Sequence, residues 1–180
     1  MILISLAIMF TSCQRTQPGA DLSGDYYPLG FGYEWTYDQL EGSERIRSII
    51  EETEINGKTY YRDENDYSDY LRCENNKLYV LRDDTEYLLT DFNKPVGYEW
   101  RHPFFLRTNK ILAKNVTYGS IENCIVISSE SELDYNESIF APGVGLVSSS
   151  LEGRGGTIII GGVSRCTKAI INGEAIIFEE

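Results

Sequence analysis

Beyond Trp35 the chain alternates apolar, β-branched and aromatic residues with polar ones in short runs, and each run closes on a turn signal. Residues 45–55 lead into Asn56-Gly57 and resume as Lys58-Thr59-Tyr60-Tyr61. Asn-Gly between β-formers is a strong hairpin signal, because both central residues of the favoured turn need φ > 0. The run 45–54 could be misread as helix, yet its isoleucines, Ser48 and Thr53 beside that turn favour strand. The grammar repeats in 67–73, a turn at 74–77 and 78–82; in Asp83-Asp84 and 86–90; and in 110–117, Tyr118-Gly119-Ser120 and 121–129. Residues 153–156 read as a glycine-rich turn, and Asn172-Gly173 joins a last hairpin between 170–171 and 175–178. Short strands with turns roughly every 8–12 residues predict an all-β fold, either an antiparallel sandwich or a curved, half-barrel-like sheet.

One tetrapeptide organises the pattern. Gly32-Tyr33-Glu34-Trp35, inside D-Y-Y-P-L-G-F-G-Y-E-W-T-Y, returns as Gly97-Tyr98-Glu99-Trp100, and each copy follows a proline and leads into a strand-like run. The repetition raises the expectation of two related meanders, 26–90 and 91–155, although one short match is also within reach of chance. In a structural role, Gly supplies a turn with φ > 0 and the indole covers one end of a β-core, its N–H on a carbonyl. In a binding role, Tyr26, Tyr27, Tyr33, Trp35 and Trp100 would line a shared ligand cleft. Large aromatics in β-domains are mostly core material, so the structural role is favoured.

Length and charge narrow the choice of partners. The 180 residues suit one domain with a substantial core. A net charge of −12 repels phosphate backbones and anionic headgroups, so no nucleic-acid partner and no electrostatic membrane binding are expected. Thirteen tyrosines are too many for a disordered chain.

The N-terminus carries the clearest signal. Residues 1–10, M-I-L-I-S-L-A-I-M-F, are nearly all apolar but too few to span a bilayer, which needs about 20. They match the apolar region of a secretory signal, and Phe10-Thr11-Ser12-Cys13 resembles the lipobox of bacterial lipoproteins. The resemblance implies cleavage after residue 12 and lipidation of Cys13, with Phe10 where that motif usually has Leu. An ordinary cleaved signal is the alternative, without an evident small-x-small cleavage site to support it. Residues 13–24 read as a flexible tether, and 25–180 as a single β-rich domain with little or no helix expected beyond the signal. Gln14 follows Cys13, so the Asp that marks inner-membrane retention in well-studied enveloped bacteria is absent; by resemblance this favours the outer membrane.

A wider resemblance rests on three islands: Tyr27-Pro28-Leu29, Gly32 and Trp35-Thr36-Tyr37; then Gly119-Ser120-Ile121-Glu122-Asn123-Cys124; then Phe140-Ala141-Pro142-Gly143-Val144-Gly145-Leu146-Val147. Together they resemble uncharacterised bacterial envelope lipoproteins with a Y-F-P-L-x-x-G-x-x-W-x-Y entry, a G-[TS]-[FI]-x-x-C strand and a Y-A-P-G-V-G-L-V turn. The resemblance implies a β-rich extracytoplasmic domain and brings no catalytic residues with it. In the last island Pro142 fixes φ, and Gly143 and Gly145 predict a tight or closely packed backbone.

Catalytic signals are sparse. His102 is the single histidine, it precedes Pro103, no G-x-S-x-G elbow accompanies it, and multi-histidine zinc sites are excluded by the count. The run Asp63-Glu64-Asn65-Asp66-Tyr67-Ser68-Asp69 evokes a calcium loop, but Tyr67 and Ser68 stand where a ligand and the obligatory Gly belong; a solvated loop tip is expected. The glycines of 153–156 open an isoleucine run, not the helix of a phosphate loop. Beyond Cys13, Cys73, Cys124 and Cys166 allow at most one internal disulfide; Cys124–Cys166 and three buried free thiols are both open.

The reading is therefore a lipid-anchored cell-envelope protein that acts as a non-catalytic binding or interaction module, with no metal and no cofactor. Its membrane contact runs through the N-terminal lipid, and its further partner is a protein or an apolar small molecule. Two rivals stand beside it. A carrier of a lipid or other apolar ligand would need a large open cavity in the curved sheet. An envelope glycan hydrolase would need two carboxylates facing each other in an aromatic groove.

Overall fold

The computed structural model describes residues 24–39, 42–65, 69–153 and 163–178. The strands are β1 (Glu34–Asp38), β2 (Glu44–Ile55), β3 (Lys58–Asp63), β4 (Tyr70–Glu74), β5 (Lys77–Arg82), β6 (Thr85–Asp91), β7 (Glu99–Arg101), β8 (Thr108–Tyr118), β9 (Ile121–Glu130), β10 (Asp134–Ala141), β11 (Gly145–Gly153), β12 (Val163–Ile171) and β13 (Glu174–Ile177). All pairings are antiparallel, and one sheet runs β6-β5-β4-β3-β2-β1-β12-β11-β10-β9-β8-β7, with β13 beside β12. No helix occurs among the described residues, so the expected all-β curved sheet is what forms.

The hairpins follow from local chemistry. Asn56-Gly57 (φ 53° and 73°), Asn75-Asn76 (52° and 58°), Asp83-Asp84 (48° and 59°) and Asn172-Gly173 (52° and 77°) all place two residues at positive φ, the requirement of a type I′ turn. Their backbone twist matches that of the flanking strands, so each pins the register of its hairpin.

The sheet curls until its two arms face each other. Leu78 and Phe92 from one arm pack with Ile111, Ile125 and Ile127 from the other. A second cluster joins Trp35, Tyr37 and Ile49 to Cys124, Val144, Val147, Cys166 and Ala169 across the β1–β12 junction. The segment just before β1 clasps the arms. Asp25 accepts from the Asn76 amide (2.8 Å) on one arm, and its carbonyl accepts from the Gly143 amide (3.0 Å) on the other. Tyr26 stacks on Phe92 and donates its hydroxyl to the Asn123 carbonyl (2.7 Å).

The two GYEW copies build one entry geometry in two settings. The amides of Gly32 and Gly97, at φ 80° and 87°, donate to the carbonyls of Ile49 (3.0 Å) and Ile111 (2.8 Å). Those isoleucines donate back to the Tyr33 and Tyr98 carbonyls (2.9 and 3.1 Å). β1 then lies between β2 and β12 in mid-sheet, whereas β7 ends the sheet. Trp35 is therefore 1% exposed, while Trp100 is only half-buried. Each indole donates to a carbonyl, Val144 (2.7 Å) for Trp35 and Leu89 (2.8 Å) for Trp100.

The turn from Ala141 to Gly145 is tight, as its sequence predicts. Gly143 and Gly145 sit at φ 69° and 100°, and a Cβ on Gly145 would come within 3.4 Å of Pro28 Cδ and 3.8 Å of Trp35 Nε1. Strain from a disfavoured φ is typically about 1–3 kcal/mol, so Gly145→Ala is expected to destabilise by that order. A Gly145→Ala protein melting at the parent's temperature would contradict this assignment.

A polar stripe crosses β3 to β6. Arg72 makes a two-pronged pair with Glu86 (3.0 and 2.9 Å), Tyr60 donates to the same carboxylate, and Lys58 reaches it from β3 (3.0 Å). Hydrogen bonding from Arg72, helped by Tyr60 and Lys58 against partial burial, holds the Glu86 carboxyl down at about 2. A carboxylate with a depressed folded value stabilises fully above its ordinary range, near 4.5, and loses that contribution as the pH falls toward 2. Stability should thus fall between pH 4.5 and 2 in the parent and more shallowly in Glu86→Gln; parallel slopes in acid denaturation curves would exclude the mechanism.

Candidate functional site

Neighbouring strands alternate direction, so chain reversals gather at two ends. The clasp at Asp25, the turns at 75–76 and 119–120 and the Gly143 turn share one end. At the other, the 83–84 turn meets the 102–107 loop, where the Arg82 guanidinium lies 4.2 Å over the Phe104 ring. The ends are about 25 Å apart along β10, at 3.2–3.4 Å per residue.

The end opposite the clasp carries a cleft of about 990 Å³. Its floor is the face shown by β7, β8 and β9, where rows Glu99–Lys110–Ser128 and Arg101–Thr108–Glu130 lie in register. Its walls are the loops 102–107 and 131–133. The floor is polar because alternate residues of these strands face away from the core, which holds Ile111 and Ile127. The walls expose large apolar side chains among polar ones: Phe105 is 59%, Leu133 61% and Leu106 93% exposed. Lys110 pairs with Glu99 (2.8 Å) on the floor, and Arg107 with Asp134 (2.5 Å) links the two wall loops. The 102–107 loop is braced from within, since the His102 amide bonds the Arg107 carbonyl (3.0 Å) and the Phe104 amide bonds His102 Nδ1 (3.2 Å).

His102 lies in this cleft, its ring 4.8 Å from that of Phe105. Burial, then the charges of Arg107 and Arg82, push its pKa below the ordinary 6.5, so the imidazole is neutral at pH 7. Arg101 is exposed on β7 and makes no ion pair among the described residues. The chain's sequence held a signal for this site. R-H-P-F-F-L-R-T-N-K, residues 101–110, has no acid in a chain of net charge −12.

Other expected sites fare differently. Neither Trp35 nor Trp100 lines the cleft. The acidic run is not a solvated tip at its ends: Asp63 is buried and paired with Arg47, and Asp69 is buried and paired with Arg82. Residues 66–68 lie outside the described residues, as do Cys13 and the signal. Cys73, Cys124 and Cys166 are free thiols, so the Cys124–Cys166 bridge is not made; β9 and β12 are separated by β10 and β11. Burial raises all three, Cys73 and Cys166 to about 12, which keeps them protonated and unreactive. The curl's interior is occupied by Trp35, Phe92, Ile111 and Ile125, where a carrier would keep an open cavity.

No family model matches the sequence, and no curated protein matches it. Two solved structures are similar in outline. One is described as an exported protein with a YmcC-like fold from Bacteroides fragilis NCTC 9343, 10% identical, with a TM-score of 0.47 over 85% of this chain and 99% of that one. The other is described as a lipoprotein from Parabacteroides distasonis ATCC 8503, 10% identical, with a TM-score of 0.44 over 86% of this chain and 99% of that one. Both likenesses are too slight to place the chain in a family.

Proposed function

We propose that the protein is a lipid-anchored module of the bacterial cell envelope that docks a partner at the end away from its tether, without chemistry of its own. The observation that carries this reading is where apolar surface is left uncovered. Among the described residues, half of the exposed large hydrophobic side chains lie between Leu88 and Leu106, on β6, in the segment before β7 and in the loop after it. Exposed apolar clusters on soluble domains mark sites that something else covers. The clasp at Asp25 sits at the end opposite Phe105 and Leu106, so a chain held through residues 13–24 would present that part of the surface away from the bilayer. Outer-membrane attachment through Cys13 belongs to the same proposal.

The test is site-specific photo-crosslinking in cells producing the chain. A crosslinker at Leu106 should yield a discrete adduct, whereas one at exposed Ile177, which is remote from the cleft, should not. Equal yields at both positions, or none at Leu106, would remove the support for a docking role.

A further inference from the structure

We propose that the seam between β6 and β7 takes up an extended segment of a partner polypeptide as an added strand, one that carries apolar side chains and a carboxylate. The inference rests on the docking reading and names its partner's chemistry. β6 and β7 are the two ends of the main strand path. On either side of β7 the Tyr98 carbonyl accepts from Ile111 and the His102 amide donates to the Arg107 carbonyl, both toward β8. By the alternation of an antiparallel strand, the backbone groups of Glu99 and Arg101 point the other way, into the seam.

Side chains cross the seam: Trp100 Nε1 reaches the Leu89 carbonyl (2.8 Å), and Phe104 meets Tyr87 edge-on at 4.9 Å. Among the described residues no backbone hydrogen bond joins β6 to β7, so side chains alone bridge the seam. Trp100 packs toward the core and so forms the floor of the slot.

β7 itself is short and carries Glu99 and Arg101, as edge strands usually do, but the segments bordering the slot expose apolar side chains. Leu88 on β6, Val96 and Tyr98 before and at the start of β7, and Phe105 and Leu106 after it are all exposed. Pro95 and Pro103 flank β7 and keep it short. The charge is also specific. Within 94–110, Lys94, Lys110 and Arg107 are matched by Asp91, Glu99 and Asp134, which leaves Arg101 as the cation of that stretch without an ion pair among the described residues. A carboxylate on the incoming strand would meet it, and backbone pairing with apolar side chains in alternate positions would supply the rest. A second copy of the chain is disfavoured by mutual repulsion at −12 each.

The full-length chain in detergent micelles, screened against synthetic octapeptides that alternate Val or Phe with Glu or Thr, tests this directly. Binders are expected, with at least a tenfold loss when Lys replaces Glu in the peptide, and the same loss in Leu106→Glu and Arg101→Glu. N-methylation of alternate peptide residues in one register should abolish binding, and the Glu99 and Arg101 amides should gain protection from hydrogen exchange. Strand addition is overturned if no octapeptide binds, if N-methylation in either register is without effect, or if the parent instead forms dimers that Leu106→Glu dissolves. A crosslink from Leu106 in cells together with a failed peptide screen would leave the docking reading standing and remove this one.

Discussion

Trp35→Ala is expected to cost about 3–5 kcal/mol, the usual range for emptying a large buried aromatic site. The side chain is 1% exposed, at the junction where β1 joins β2 to β12. Its loss would orphan the Val144 carbonyl, now bonded at 2.7 Å, and leave Gly145 facing a void. It would also uncover Arg47, whose guanidinium lies 4.6 Å over the indole and pairs with buried Asp63. A buried charge stripped of part of its surroundings adds to the cavity term. Trp100→Ala should cost clearly less, since half-buried Trp100 packs at a sheet edge. Denaturant titrations of the two variants decide it: equal losses, or a Trp35→Ala midpoint at the parent's value, would mean that burial at the junction is not what holds the fold.

That contrast shows what the sequence could carry. The hairpin turns were legible because Asn-Gly and Asp-Asp act through their own dihedrals, independent of the rest of the chain. The entry geometry of G-Y-E-W was legible for the same reason, and both copies form it. Their different fates were not. Whether β1 or β7 lies in mid-sheet depends on β12 returning to pair with β1, a contact between Trp35 and Ala169 that no local pattern encodes. The acidic run failed likewise: Asp63 and Asp69 find Arg47 and Arg82 at separations of 16 and 13 residues, so charges that look solvated in sequence become buried pairs. The cleft was not read from the sequence. The acid-free stretch 101–110 in an acidic chain was a signal for one wall, but the other needed Leu133 from a distant loop.

Replacing Cys13 should have the larger effect in the cell. In Cys13→Ser the protein is expected to leave the membrane fraction, or to stay uncleaved with its signal attached. The order of the parts motivates this: an apolar segment too short to span, small Thr11 and Ser12, Cys13, a polar tether, then a folded domain that begins with the clasp at Asp25. Among the described residues no helix is long and apolar enough to cross a bilayer. A net charge of −12 also opposes anionic headgroups, so the acyl chains would supply the attachment. Each buried CH₂ contributes about 0.8 kcal/mol; one chain anchors marginally, and two or more hold firmly. The clasp bears on how the variant should behave. Because Asp25 and Tyr26 are fixed by Asn76, Gly143 and Asn123, the described domain is clasped from residue 25 on, and a released Cys13→Ser domain is expected to melt like the parent. Mass spectrometry of the membrane-bound parent completes the test. A mature chain that starts anywhere but at a lipid-modified Cys13, or a Cys13→Ser protein that still sediments with membranes after its signal is removed, would show that the anchor lies elsewhere.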